Sequence, residues 1–247
     1  MIGIVGFGFV GKAIHAGFST AETFICDPNF NSNTIQDLVQ QNPEVIFVCV
    51  PTPADDPEYG ILKGVLQDIQ TTNYDGVVAV KSTILPHHLE DFDIVLNPEF
   101  LSRNTAVEDF LNPPFVIFGG EHSKCKKLHQ IYKDYSDVNL SNVVYTDIVT
   151  ASLVKYTCST FFATKITFMN MIFDLTQQLG VDFEELKNIL KLYPWMVGVS
   201  HLDVPGHEGR GFAGPCLPKD VKAMADSFNL ELLHKVLQLN DKFREKP

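Results

Sequence analysis

The sequence predicts an α/β fold: a doubly wound parallel sheet over residues 1–147, then an all-helical region over 148–247 with one long helix. Three observations carry this. Short β-branched and aromatic runs recur through the first 147 residues, and most are separated by stretches long enough for a crossover helix. From Asp147 onward a long stretch follows with no Pro and no internal Gly until Gly180. Strands that read as nearly continuous apolar runs between helical segments argue for a parallel sheet covered on both faces.

The expected strands are IGIVG (2–6), TFICD (23–27), EVIFVCV (44–50), GVVAVKST (76–83), DIVLNPEF (93–100), FVIFGG (115–120) and NVVYTD (142–147). Crossover helices are expected near 10–20, 33–42, 61–72 and 122–135. The long helix has Asp147 as its N-cap and Gly180 as the residue that ends it. A second helix is expected at about 182–192. The Gly- and Pro-rich stretch 193–215 reads as a long functional loop, and helical pattern closes the chain from about 218 to 245.

With 247 residues, 45% of them hydrophobic, the chain can bury a good core. Five cysteines (Cys26, Cys49, Cys125, Cys158 and Cys216) make an odd count without a close CxxC pair, and no secretory n- and h-region opens the chain. Reduced thiols in a cytoplasmic protein are therefore expected. No apolar run approaches the roughly 18 residues that span a bilayer, so no membrane partner is expected. A formal net charge of −11 and the lack of a Lys/Arg-rich run oppose nucleic acid. The eight histidines form no HxxxH or HExxH pair, so the sequence gives a metal site no support. A small molecule is the expected partner.

Directly after the first strand, GFGFVG places Gly6, Gly8 and Gly11 in GxGxxG spacing. In a Rossmann-like fold the first glycine makes a tight turn, the second admits a pyrophosphate, and the third lets helix pack on strand. The helix N-terminus then faces the phosphates. Asp27, about twenty residues on, falls where an acid holds the ribose hydroxyls, which favours NAD over NADP; its other reading is a turn residue before Pro28. GFGFVGKA nearly spells a P-loop, but Ala13 removes the hydroxyl that a P-loop needs for magnesium.

GFGFVG, CVPTP (49–53), KST (81–83), NPEFL (97–101), ASLVK (151–155) and GFAGPCLPKD (211–220) together resemble, in order, the motifs of the nucleotide-sugar 6-dehydrogenases, the UDP-glucose and GDP-mannose dehydrogenase group. The resemblance implies oxidation of a sugar C6 alcohol to a carboxylate with two NAD and one water, through a thiohemiacetal and a thioester on a cysteine. It implies Cys216 as nucleophile, Asp220 and Thr83 as the pair that positions water, Lys155 as the oxyanion cation, and Glu99 as the acid of thioester hydrolysis. Ser159 joins this catalytic set. Cofactor contacts are implied for Gly6, Gly8, Phe9, Val10, Gly11, Asp27, Thr52, Ser82, Thr83 and Lys219. Substrate contacts are implied for Glu99, Phe100, Leu101, Lys155, Gly211 and Phe212.

The chemistry fits these residue types. Capture of a carbonyl needs a thiolate, whose ordinary pKa near 8.5 falls beside cations or a helix N-terminus. Lys219, and a helix opened by PKD with Pro218 in its first turn, supply both. Loss of hydride leaves negative charge on oxygen, and Lys155 is the candidate to stabilise it. Residue 159 lies one helical turn after 155, so the two should share a face. Glu99, Ser82 and Thr83 end strands, where ligands bind in open α/β sheets.

Three departures from the family stand out. Ser159 replaces an asparagine. Arg103 stands where EFLxEG has its second acid. The chain stops at Pro247, within a helical pattern resembling the start of a dimer helix, so a C-terminal domain of about 150 residues, a usual domain size, is not expected. Smaller substrates, a surface borrowed from a second subunit, or a shortened chain are the alternatives. The apolar face of the last helix leads us to expect a homodimer through the C-terminal helices. Two other readings stay open at this point: a two-electron dehydrogenase that stops at the aldehyde, and a non-catalytic NAD-binding or oligomerisation module.

Overall fold

A computed structural model describes residues 1–89, 91–193 and 203–245. The chain divides into two units, Met1–Lys155 and Tyr156–Pro247.

In the first unit the described residues form a seven-stranded sheet in the order β2-β1-β3-β4-β5-β6-β7. The strands are β1 (Ile2–Val5), β2 (Thr23–Cys26), β3 (Val45–Val48), β4 (Val77–Val80), β5 (Val95–Leu96), β6 (Val116–Gly120) and β7 (Val143–Thr146). All seven fall within the expected runs. Connecting helices are α1 (Phe9–Gly17), α2 (Ile35–Gln40), α3 (Gly60–Thr71), α4 (Ala106–Leu111) and α5 (His122–Tyr135), with a short 3-10 turn at Pro86–His88. The α4 helix and this turn were not among the expected elements.

One expectation is corrected: the sheet is not wholly parallel, because β5 and β6 run antiparallel. Two glycines at the end of β6 allow the close packing there. A Cβ at Gly120 (φ +150°) would lie 2.9 Å from the Ile94 carbonyl oxygen, and one at Gly119 would lie 2.4 Å from Ala151 Cβ. The pairs β2–β1–β3–β4–β5 remain parallel, so their carboxyl ends share one edge. β1 is flanked by β2 and β3, and the chain winds outward from it in both directions, which makes the β1/β3 edge the switch point where such sheets bind ligands.

The core of this unit is aromatic on one side. Phe18 packs on Phe47 (ring centroids 5.1 Å apart) and Tyr132 (4.9 Å), and Phe118 packs edge-on to Tyr132 (5.5 Å). Tyr132 OH reaches out of this cluster to donate to Asn97 Oδ1 at 2.7 Å. The same oxygen accepts from Lys81 Nζ at 3.1 Å, and Asn97 Nδ2 donates to the Ile117 carbonyl at 2.8 Å. Asn97 thus ties the end of β5 to β4, β6 and α5 within the interior, where polar groups must be satisfied.

The second unit is helical. α6 (Ile148–Leu179) begins in the first unit, where Asp147 caps it by accepting from the Thr150 N–H at 2.8 Å, and it continues to Gly180, which has φ +66°. α7 (Phe183–Lys191), α8 (Leu217–Phe228) and α9 (Glu231–Arg244) follow. The expected single closing pattern is two helices, broken where Asn229 takes a left-handed conformation (φ 50°). Residues 194–202 of the expected Gly/Pro loop lie outside the described residues. Phe212, Val221, Ala225, Leu233 and Val236 form a buried cluster with Ala163. Leu233 and Val236 of α9 are therefore turned into their own unit, while Leu232 on the same helix is exposed. An exposed apolar stripe is on α6: Phe161, Phe168, Met171, Leu175 and Leu179.

The buried ammonium of Lys81 makes a pH prediction. Burial pushes it down to about 8 from 10.5, with Cys49 and Glu99 opposing the fall and Lys155 adding to it. The fold favours the neutral amine, so the cost of burying the charge is fully present below pH 8 and is relieved as pH rises toward 10.5. The unfolding free energy of the protein should therefore rise relative to that of Lys81→Met across this window, by up to about 1.4 kcal/mol per pH unit. Denaturant melts of both proteins from pH 7 upward measure it; a constant difference refutes the buried charge.

Candidate active site

At the glycine turn, Gly6 has φ +90°, and a Cβ there would lie 2.8 Å from the Cys49 backbone. The first glycine therefore lies against the segment that follows β3, at the β1/β3 switch point. A Cβ on Gly11 would lie 2.2 Å from the Gly6 carbonyl oxygen. Gly8 differs: nothing lies within 4 Å of where its Cβ would be. Gly8 is the N-cap of α1, with no side-chain cap and no acidic residue in the first turn. The backbone N–H groups at Phe9 and Val10 thus start a helix whose partial positive charge faces outward, as an anion cradle requires.

Asp27 is brought to this turn. Its Oδ2 accepts from the Phe7 N–H at 2.6 Å and its Oδ1 from the Asn29 N–H at 2.7 Å. Asp27 thus shapes its own turn and bonds the backbone of the glycine loop. These features fit a dinucleotide, with Gly8 and the α1 start for the pyrophosphate and Asp27 for the ribose.

Ser82, expected at the cofactor, is buried, and its hydroxyl donates to the Val50 carbonyl at 2.7 Å. It joins the ends of β3 and β4. Thr52 is buried in the chain segment after β3, and Thr83 is half-buried after β4.

Farther along the same carboxyl edge, β5 leads into Glu99. Glu99 and Lys155 are both about 8% exposed and pair at 3.0 Å between Oε1 and Nζ. The other oxygen, Oε2, accepts from the Leu101 N–H at 2.7 Å. Lys155 Nζ also lies 5.6 Å from the Phe100 ring centroid. Glu99, Phe100, Leu101 and Lys155 are thus gathered as expected. Ser152, one turn earlier on α6, fixes the helix by donating to the Ile84 carbonyl at 2.7 Å. Missed by sequence reasoning were Lys81 and Asn97, which support this corner from below. A lysine continuing the apolar run GVVAV was the signal, since a strand buried on both faces carries its next residue into the interior.

In the second unit, Cys216 is the N-cap of α8, with Pro218 in the first turn as expected. Asp220, also in that turn, is 1% exposed, and no regular hydrogen bond from a described residue reaches either carboxylate oxygen. Lys219 Nζ lies 2.8 Å from Asp220 Oδ1. The ammonium expected at the cofactor is therefore engaged with its neighbouring carboxylate. Ser159, one turn beyond Lys155 on α6, is buried.

Gly211 and Phe212, expected as substrate contacts, are held by backbone clamps. The Asn240 side chain accepts from the Phe212 N–H at 2.7 Å and donates to the Phe212 carbonyl at 3.0 Å, and Asn170 Oδ1 accepts from the Gly211 N–H at 3.1 Å. The Phe212 ring is 2% exposed within the helical core. Its side chain packs in that core. Arg210 anchors the same loop, pairing with Asp174 at 2.6 Å between the rings of Phe173 and Phe243. Asn170, Asn240 and Arg210 carry no local sequence signal, because the groups they hold or pair with are distant in the chain.

Comparison with known proteins agrees with this geometry. Residues 27–136 match the sequence model of the UDP-glucose/GDP-mannose dehydrogenase family, NAD binding domain, and residues 149–242 match that of the central domain. A UDP-glucose 6-dehydrogenase of Rickettsia felis is 34% identical over 200 residues, covering 74% of this chain and 43% of the relative. A GDP-mannose 6-dehydrogenase of Pseudomonas savastanoi is 29% identical, covering 80% of this chain and 50% of the relative. The chain thus spans about half the length of the curated relatives it matches. Among solved structures, a UDP-glucose dehydrogenase from Pyrobaculum islandicum superposes with a TM-score of 0.77 at 21% identity, over 98% of this chain and 68% of that one, which shows the shared fold. Among the described residues no helix is long and apolar enough to cross a membrane. The two family models between them account for both units, and the chain belongs to the UDP-glucose/GDP-mannose dehydrogenase family, its first unit being that family's NAD-binding domain.

Proposed function

We propose that the protein is an NAD-dependent dehydrogenase that oxidises the C6 alcohol of a nucleotide sugar, of the UDP-glucose kind, to the carboxylate. The observation that carries this reading is the buried Lys155–Glu99 pair at the carboxyl edge of the parallel strands. It sets a fixed cation where oxygen takes up negative charge and a carboxylate beside it. Bound NAD supplies the hydride acceptor, and two equivalents are needed for the four-electron oxidation.

The chain's own residues do the rest. Gly8 and the start of α1 receive the pyrophosphate, and Asp27 receives the ribose hydroxyls and disfavours a 2′-phosphate. Lys155 stabilises the alkoxide as the alcohol proton departs. The Cys216 sulfur adds to the aldehyde carbon to give a thiohemiacetal, and the thioester left by the second oxidation is hydrolysed by water, returning the thiol and releasing the carboxylate. Asp220 and Thr83 hold that water, Asp220 takes its proton, and Glu99 assists.

The protein also acts as a homodimer in this proposal, through the stripe on α6. Two copies each carrying a formal −11 repel one another, so an uncharged seam is where they meet at least cost. The stripe runs about 27 Å, from the rise of a helix per residue, on one helix that can pair with itself about a two-fold axis.

Three measurements test these assignments. Gly11→Ala should lower the unfolding free energy by about 1–3 kcal/mol through overpacking, whereas Gly8→Ala should stay within about 1 kcal/mol of the parent yet bind NAD at least ten-fold more weakly by calorimetry. Incubation with NAD and a panel of UDP- and GDP-sugars should give two NADH per sugar and, by mass spectrometry, a thioester on Cys216. Cys216→Ser should lose the adduct and on the order of 1,000-fold in turnover. One NADH per sugar instead indicates a two-electron dehydrogenase; tight NAD binding without turnover of any sugar defeats the enzymatic reading. Light scattering should show a dimer that Phe168→Glu converts to a monomer, and a parent protein that is already monomeric at micromolar concentration rejects the seam.

A further inference from the structure

Arg103 stands outside every role given so far. We propose that it is a cofactor-binding residue that grips the pyrophosphate of the dinucleotide from the side of the glycine turn opposite Asp27. The proposal rests on the reading of the first unit as an NAD site.

Its guanidinium carbon lies 6.0 Å from the ring centroid of Phe9, the first residue of α1 and the next residue after Gly8. Three contacts fix the backbone that brings it there. Glu99 Oε2 accepts from the Leu101 N–H at 2.7 Å. Asp109 Oδ2 accepts from the Ser102 N–H and from the Thr105 hydroxyl, each at 2.8 Å. α4 then lies along α1, with the Phe110 ring 2.5 Å from where a Gly17 Cβ would be. The segment from Arg103 to Phe110 therefore follows α1 from its first residue to its last, and Arg103 is delivered to the end that faces the phosphates.

The chemistry suits a dianion. Among the described residues no carboxylate lies within ion-pair distance of Arg103, and the first turn of α1 carries no acid. A pyrophosphate approaches this chain against a formal charge of −11, so a local cation matters more here than on a neutral protein. A guanidinium fork matches two phosphate oxygens at once, which an ammonium does not. Asp27 bonds the Phe7 N–H, on the other side of the turn, so the ribose of the adenosine half and the Arg103 contact do not compete. Lys12 provides an internal comparison: it is the turn's other cation, with Nζ 6.0 Å from the Phe7 ring, on the Asp27 side.

Calorimetric titration of the whole protein with NAD, ADP-ribose and AMP tests this, using Arg103→Gln, Arg103→Lys and Lys12→Gln at two salt concentrations. Arg103→Gln should weaken NAD and ADP-ribose alike by about five- to ten-fold, as expected for a charge-assisted bidentate contact at an exposed site. AMP should change less than about two-fold, Lys12→Gln should change all three less than about two-fold, and Arg103→Lys should recover part of the loss. The Arg103→Gln loss should shrink at high salt. Equal effects of Arg103→Gln and Lys12→Gln reduce the residue to a general field and overturn the proposal. A loss confined to NAD, with ADP-ribose unchanged, moves the contact to the nicotinamide end and also overturns it. A parent protein that does not bind NAD removes the NAD reading itself, a result separate from any difference between variants.

Discussion

The pairing of Lys155 with Glu99 is the constraint around which the first unit is arranged. Two charges about 8% exposed are costly to desolvate, and such a pair persists only when its remaining hydrogen bonds are met. Glu99 meets them through the Leu101 N–H, and Lys155 through the Phe100 face. Lys81 supports the same corner from within, because its bond to Asn97 Oδ1 fixes the backbone two residues before Glu99. The corner thus contains two buried ammonium groups and one buried carboxylate.

Much of this was legible in the sequence, and the reasons differ by element. All seven strands could be read because each is an apolar run bounded by turn residues, and the parallel sheet requires both faces to be covered. The antiparallel entry of β6 could not be read, since a strand buried on both faces has the same composition in either direction. The glycine turn was legible because each of its glycines does a different steric job: positive φ at Gly6, open space over Gly8, and a 2.2 Å approach at Gly11. The break at Asn229 escaped because asparagine is a weaker mark of the left-handed conformation than glycine. Ser82 and Phe212 matched motif positions, yet their side chains are taken up by the Val50 carbonyl and by the helical core. A motif records which residues recur at a site, and some recur because they hold its backbone.

That distinction governs the second unit. The loop before Cys216 contains Gly211 and Gly214, both at positive φ, so little in the loop itself restrains it. Restraint comes from outside: Asn240 on α9 takes both backbone groups of Phe212, Asn170 on α6 takes the Gly211 N–H, and Arg210 is held between two rings and Asp174. A Cβ on Gly211 would lie 2.5 Å from Asn240 Oδ1, so the glycine is what lets the clamp close. Asn170 and Asn240 are buried, and a buried amide with its partners met specifies one arrangement of the chain.

The first turn of α8 shows what such rigidity permits. Asp220 is 1% exposed, no regular hydrogen bond from a described residue reaches either oxygen, and the Lys219 ammonium lies 2.8 Å from Oδ1. A buried carboxylate left so incompletely satisfied is costly by about 1–3 kcal/mol or more for a charged group. It survives because the helix that carries it starts at Cys216, pinned by the prolines on either side of that residue and by the clamped loop before them. Relaxing that loop would let Asp220 turn toward solvent and recover hydrogen bonds. Holding it still keeps this carboxylate buried one helical turn from Cys216.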